Sequence, residues 1–304
     1  MKQEHAIKIK EIMNQKSVQE TVYLKDHTTF RVGGPASLFV EVDNIESLKA
    51  LMAYIYEEEV PYFILGNGSN LLVSDRGFDG VVIKLTGDFT GLSIEENEIT
   101  AYASVPLSKV CLEAANNSLT GLEFAYGIPG SVGGAMVMNA GAYDGEMSFV
   151  VKTVDVLTED CRIKTLTKDE LQFGYRTSIF KKENLIALKT VFALNKGSYE
   201  DINAKMQDFL ERRRTKQPLE FPSAGSTFKR PEGNFAGKLI MEAGLSGYRV
   251  GGASVSVKHC GFVVNDKNGT AEDINKVIKD VQAEVKRQTD IMLEPEVIRI
   301  GMFD

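Results

Sequence analysis

Two stretches of this sequence combine residue types and spacing that suit them to chemistry. Gly127-Ile128-Pro129-Gly130-Ser131-Val132-Gly133-Gly134-Ala135 packs glycines so closely that backbone amides can approach an anion with no side chain in the way. Gly66-Asn67-Gly68-Ser69-Asn70 repeats the theme between two apolar runs. A diphosphate would suit such loops, and a tight turn or close strand packing would also explain glycines at these positions. Neither stretch is the G-x-G-x-x-G dinucleotide fingerprint, and the chain holds no G-x-x-x-x-G-K-[ST] phosphate loop.

Composition narrows what these loops can serve. A chain of 304 residues with 43% hydrophobic content can bury a sizeable core and is expected to divide into two or three domains. Cys111, Cys161 and Cys260 are odd in number and lack C-x-x-C spacing, so they read as buried thiols, not as a disulfide framework or zinc site. His5, His27 and His259 are the only histidines, and no metal centre is expected. A net charge of -7 argues against general nucleic-acid binding. Lys and Glu interrupt the apolar residues of Met1 to Lys16, and no segment approaches the roughly 20 apolar residues of a membrane span. The expectation is a cytoplasmic protein with no membrane insertion and no obligate protein partner.

Periodicity supplies the elements that must position the loops. Asp43 or Asn44 caps a helix whose buried face is Leu48, Leu51, Met52 and Ile55. Tyr62 to Leu65, Leu71 to Val73 and Val81 to Leu85 read as strands around the first glycine loop. Leu107, Val110, Cys111 and Ala114 line a second helix, and Val150 to Leu157 and Ile163 to Leu166 resume strand character. A third helix starts at Ser198, buries Ile202, Met206, Phe209 and Leu210, and ends near Arg214. Pro218 and Pro222 mark a boundary before a helix from Phe235 to Ala243, a helix after Thr270 burying Ile274, Val277, Ile278, Val281 and Val285, and a closing strand Val297 to Ile300. The last ninety or so residues are enough to fold as a unit.

Taken together, several ordered motifs resemble one family. They are Thr29-Phe30-Arg31-Val32-Gly33-Gly34-Pro35-Ala36, the loop Gly66 to Asn70, Gly127 to Gly134 leading into Asn139-Ala140-Gly141-Ala142-Tyr143, Gly174-Tyr175-Arg176-Thr177-Ser178-Ile179-Phe180, Ala224-Gly225-Ser226-Thr227-Phe228 and Leu293-Glu294-Pro295-Glu296-Val297. The chain resembles the UDP-N-acetylenolpyruvoylglucosamine reductases from about Thr28 to Gly301. The resemblance implies an α+β fold: an FAD-binding domain of the vanillyl-alcohol-oxidase type in two subdomains, 1–86 and 87–214, and a C-terminal substrate-binding domain, 215–304. It implies FAD as cofactor, NADPH as co-substrate, and reduction of UDP-N-acetylglucosamine enolpyruvate to UDP-N-acetylmuramate for peptidoglycan synthesis, and with it cell shape and division.

By the same resemblance, Arg31, Asn67, Gly68, Ser69, Asn70, Gly130, Ser131, Val132 and Gly133 contact FAD, mostly through backbone groups around its diphosphate. Arg176 holds the substrate carboxylate, Glu296 is the catalytic glutamate, and Ser226 gives the proton to the second carbon after hydride arrives. Tyr143, Lys216, Arg230 and His259 fall at substrate contacts. Taken singly, Arg176 reads as a surface charge, Glu296 as an exposed strand end and Ser226 as a turn cap. At least part of the cluster Arg212, Arg213, Arg214 and Lys216 reads as a solvated helix end. The sequence departs from one branch of the family, because Phe180 to Lys216 leaves little room for an inserted tyrosine loop and Arg230 stands where that branch has asparagine. It resembles the shorter, second type. An FAD-dependent alcohol oxidase would need no proton donor at Ser226, and a nucleotide-sugar-binding regulator would need none of the catalytic trio.

Overall fold

The structure is a computed structural model, and it describes residues 1–303. The chain forms two compact units. The first comprises residues 1–19, 38–67 and 80–213, and the second comprises 20–37, 68–79 and 214–304.

The first unit holds two separate hydrophobic clusters. One is built on α1 (Gln3–Ile12) and α2 (Ile45–Glu57), and gathers Ile9, Leu38, Val40, Leu48, Leu51, Met52, Ile55, Val81 and Ile83. Asn44 starts α2 as its composition requires, its side chain accepting from Ser47 N at 2.9 Å, and the four apolar positions read from the sequence form the buried face. Tyr62–Ile64 pairs in parallel with Val81–Ile83. The other cluster surrounds an antiparallel five-stranded sheet ordered Ile163–Thr167, Val151–Leu157, Ile186–Ala193, Glu98–Tyr102 and Leu92–Glu95. α3 (Leu107–Asn116), α4 (Val132–Met138) and α5 (Tyr199–Lys216) contribute Val110, Cys111, Ala114, Met136, Ile202 and Met206 to it.

Three sequence expectations change here. The glycine-rich stretch is not all loop, because α4 begins at Val132 and takes in Gly133 and Gly134. Its glycines disguise a helix that Ser131 caps and that buries Val132, Ala135, Met136 and Met138. α5 runs two residues beyond Arg214, and Phe209 and Leu210 are half-buried where full burial was expected. Cys111 and Cys260 are buried thiols, while Cys161 is half-exposed.

In the second unit, α6 (Ala236–Glu242) and α7 (Ala271–Thr289) pack with an antiparallel meander of Arg249–Val250, Ala253–Val255 and Val263–Asn265. Ile274, Val277, Ile278, Val281 and Val285 recur at helical spacing and form the buried stripe of α7. Thr270 and Asp273 close a capping box at its start, and the Asp75 carboxylate accepts from Ala271 N at 2.9 Å and Glu272 N at 3.0 Å. The closing strand, Ile298–Ile300, pairs in parallel with Leu71–Val73. The core of this unit also includes Phe30, Val32 and Leu72, so it is larger than the last ninety residues alone.

Candidate active site

In the first unit, Gly66, Ser131, Gly133 and Gly134 line one cleft, walled by Ile64, Leu85, Val137 and Ile186. The segments are tied together locally. Asn67 Nδ2 donates to the Pro129 carbonyl at 3.4 Å, Lys84 Nζ donates to the Gly66 carbonyl, and the buried Ser131 hydroxyl accepts from Gly134 N at 3.3 Å. Burial pushes the Lys84 ammonium below the ordinary lysine range. A methyl group on Gly66 would come 2.9 Å from Ser131 Oγ, and one on Gly133 would come 3.1 Å from Ala103 Cβ, so side chains at these glycines would crowd the cleft. The amides of Val132 and Gly133 donate to the carbonyls of Val105 and Ala103 at 2.9 and 2.8 Å. The amides of those two residues are therefore taken, and what the two residues offer a bound group is close approach. An apolar-walled cleft reached by bare backbone and a hydroxyl fits a planar cofactor carrying phosphates.

The same unit holds Tyr143 and Arg176. Gly141–Ala142 and Gly145–Glu146 pair as a hairpin whose two-residue loop, Tyr143-Asp144, has φ of 51° and 63°. That is the signature of a type I′ turn, which normally favours Asn-Gly, so tyrosine sits there against local preference. Its ring stacks on Phe209 with centroids 4.5 Å apart and planes 6° apart, and burial raises its pKa. Arg176 also has positive φ, 55°, and its guanidinium lies over the Tyr175 ring at 5.5 Å.

The arginine cluster at the end of α5 separates on inspection. Arg212 pairs with Asp208 at 2.7 Å on the surface, as a solvated helix end should. Arg213 instead turns inward, where burial lowers its pKa, Tyr143 is its electrostatic neighbour, and its Cδ lies 3.1 Å from the Cβ position of Gly127. Sequence reasoning missed Arg213 because three consecutive arginines carry no signal of which one faces the protein. The helical period places it at +4 from Phe209 and +7 from Met206, and could have found it.

In the second unit, Ser226 and Glu296 sit on neighbouring segments. Phe228 bridges Pro295 in antiparallel fashion, Glu296 N donates to the Thr227 carbonyl at 2.8 Å, and Lys229 N donates to the Glu294 carbonyl at 2.8 Å. Thr227 N in turn donates to the Gly261 carbonyl at 2.8 Å, which brings the His259 turn beside the same strand. Asn70 Nδ2 donates to the Glu296 carbonyl at 3.1 Å. Ser226, Glu296, His259 and Asn70 are thus assembled around one short backbone ladder. Ser69 follows Gly68 in the adjoining loop, and Arg31, Lys216 and Arg230 are exposed, Arg230 lying over the Phe235 ring at 4.0 Å.

Gly68 shows why that loop admits no side chain. Its φ is +62°, and a Cβ would fall 2.0 Å from the His27 carbonyl oxygen, while its own carbonyl accepts from Thr29 N at 3.2 Å. Gly68→Ala is expected to destabilise the protein by about 2 kcal/mol or more, since it adds a backbone clash to an unfavourable φ. Thermal unfolding of the variant checks this, and an unchanged midpoint refutes it.

His259 is half-buried against Phe262, with ring centroids 4.9 Å apart, and its Nδ1 accepts from Gly261 N at 3.1 Å. The neutral ring therefore carries its proton on Nε2. Burial lowers its pKa in the fold, so the unfolded chain takes up a proton near pH 6.5 that the folded chain resists. Stability from this group is present above that pH and is lost as pH falls through it. His259→Gln should flatten the pH dependence of chemical denaturation between about pH 7 and 5 relative to the parent. Parallel curves for the two proteins would refute the assignment.

Among the described residues no group of three or more His, Cys, Asp or Glu could hold a metal ion, and no helix is long and apolar enough to cross a membrane.

The fold and cleft define a class: residues 36–167 match the family described as FAD binding domain, and the architecture is α+β, an FAD-binding domain of the vanillyl-alcohol-oxidase type followed by a C-terminal domain. The glucose dehydrogenase Phl p 4.0202 shares this fold alone, with 9% identity and a TM-score of 0.50 over 64% of this chain and 44% of its own. Residues 217–300 match the family described as UDP-N-acetylenolpyruvoylglucosamine reductase, C-terminal domain. The chain is 50% identical over 284 residues to the UDP-N-acetylenolpyruvoylglucosamine reductase of Clostridium botulinum strain Alaska E43, covering 93% of each. It is 48% identical to that of Lachnoclostridium phytofermentans, covering 96% of each. The crystal structure of the Thermus caldophilus reductase superposes with a TM-score of 0.82 at 38% identity, over 93% of this chain and 98% of that one. The chain belongs to the UDP-N-acetylenolpyruvoylglucosamine reductase family.

Proposed function

We propose that Arg176, Ser226 and Glu296 carry the chemistry of this reductase, and that Tyr143, Lys216, Arg230 and His259 contact its substrate. The chain is an FAD-dependent oxidoreductase that uses NADPH to reduce the enolpyruvyl group of UDP-N-acetylglucosamine enolpyruvate, giving UDP-N-acetylmuramate for peptidoglycan synthesis. Bound FAD supplies a two-electron carrier able to take a hydride equivalent from NADPH and yield it to a carbon–carbon double bond. By the family resemblance, Arg31, Asn67, Gly68, Ser69, Asn70, Gly130, Ser131, Val132 and Gly133 would hold it.

Hydride addition at the methylene carbon drives charge onto the adjacent carbon and its carboxylate, giving an enolate-like transition state. The Arg176 guanidinium holds that carboxylate in a two-pronged grip and stabilises the growing charge. Glu296 assists as a protonated acid or through hydrogen bonds, because a bare carboxylate would repel the enolate. The Ser226 hydroxyl delivers the proton that completes the second carbon. The inward Arg213 adds a cation beside Tyr143, suited to an anionic group. The functional division we propose is two flavin-binding subdomains, 1–86 and 87–214, and a substrate domain, 215–304. The separate clusters around Leu48 and around Val110 support the first two. A cytoplasmic setting and a role in cell shape and division follow from the same reading.

The observation that carries this reading is the meeting of Gly66 with Ser131, Gly133 and Gly134 on one cleft in a chain of this family. An anaerobic absorbance trace tests it: NADPH should bleach bound flavin, and UDP-N-acetylglucosamine enolpyruvate should restore the colour. Bleaching without recovery would refute the substrate, and failure to bind FAD would refute the whole reading.

A further inference from the structure

We propose that Asn139 is a positioning residue for Arg176, acting through its side-chain amide. The inference rests on the reading of Arg176 given above. Asn139 is only 1% exposed and ends α4 in the left-handed conformation, with φ 41° and ψ 56°. Glycine is the residue that most easily serves such a position, so a buried asparagine calls for a use of its amide.

Both ends of that amide are engaged. Nδ2 donates to the Gly174 carbonyl at 3.1 Å and Oδ1 accepts from Ser148 N at 2.9 Å. Only one orientation of the amide satisfies both partners, since one is a pure acceptor and the other a pure donor. Gly174 opens a tight turn in which Gly174 N and Thr177 N each donate to the other residue's carbonyl, at 3.0 and 3.2 Å, and Arg176 occupies its third position with φ 55°. On the far side of the turn the buried Ser178 hydroxyl donates to the Val137 carbonyl at 2.8 Å. The Arg176 turn is therefore fastened to the last turn of α4 on both flanks. Through Ser148, the same amide also fixes the segment that follows the Tyr143 hairpin. A guanidinium set by so short a turn moves with it, and displacements of about 1 Å at a reacting group can cost on the order of a hundredfold in rate.

Two substitutions separate positioning from a helix-ending role. Asn139→Asp keeps the acceptor for Ser148 N but sets an oxygen against the Gly174 carbonyl. Asn139→Gly keeps the left-handed cap and removes the amide. In the FAD-loaded enzyme, both should slow recovery of flavin colour by UDP-N-acetylglucosamine enolpyruvate about tenfold or more, while bleaching by NADPH stays within about twofold. In an Arg176→Ala background, Asn139→Asp should add little further loss, because the group it positions is gone. Multiplied losses in the double variant would overturn the inference. Equal slowing of both half-reactions, or a normal rate in Asn139→Gly, would also overturn it. An active Arg176→Ala enzyme would instead overturn the reading of Arg176 itself.

Discussion

Arg176→Ala should lower turnover about a hundredfold or more while leaving bound FAD reducible by NADPH. The expectation follows from where charge develops. The substrate already carries a carboxylate, and hydride addition spreads further negative charge onto it, so a cation held against it stabilises the transition state more than the ground state. Arg176 projects its guanidinium from a fixed base. Its backbone is held at positive φ in a four-residue turn, and Lys181 Nζ donates to its carbonyl at 2.8 Å. Arg176→Lys retains the charge but loses the planar fork, and should recover only part of the loss. Near-normal steady-state oxidation of NADPH by Arg176→Ala would refute the role.

The second large effect belongs to Ser226. In the role proposed for it, its proton is needed only once the enolpyruvyl group has accepted hydride, so Ser226→Ala should leave bleaching by NADPH near normal and slow the substrate half-reaction by about a hundredfold or more. The ladder that joins Ser226-Thr227-Phe228 to Glu294-Pro295-Glu296 is made of backbone bonds, so removing one hydroxyl leaves it intact. Ser226→Cys retains an acidic proton and should keep more activity than alanine. Stopped-flow traces of each half-reaction provide the measurement, and equal slowing of the two would contradict the assignment.

Much of the scaffold was legible in the sequence because its helices announce themselves by caps and apolar spacing. Asn44, Thr270 and the stripes of α2, α3 and α7 lie where local rules put them. α4 was hidden, since glycines that permit close packing on Ala103 also lower helix propensity. Pairing of Ile298–Ile300 with Leu71–Val73 could not be read either, because no short-range pattern encodes a partner more than two hundred residues away. The resemblance named the candidate residues, but not how they are held. Nothing local marks Arg31, Tyr143 and Arg176 as left-handed, for none is glycine or asparagine and each depends on surrounding contacts to stay there. The double engagement of Asn139 belongs to the same category of information, visible only once distant segments meet, whereas the inward face of Arg213 was within reach of the helical period.

The makeup of the second unit has a consequence for how the protein is born. Its core takes Phe30, Val32 and Leu72 from early in the chain, and Ser74 Oγ donates to the carbonyl of Met302 across 228 residues. On the ribosome, residues 20–37 and 68–79 emerge well before their partners exist, and must wait with apolar surface uncovered while the long insert 80–213 condenses. Leu71–Val73 finds its one strand partner, Ile298–Ile300, only after more than two hundred further residues have been made. A nascent chain halted before Ile298 would leave Leu71–Val73 without that partner, an unpaired edge of the kind chaperones and proteases recognise.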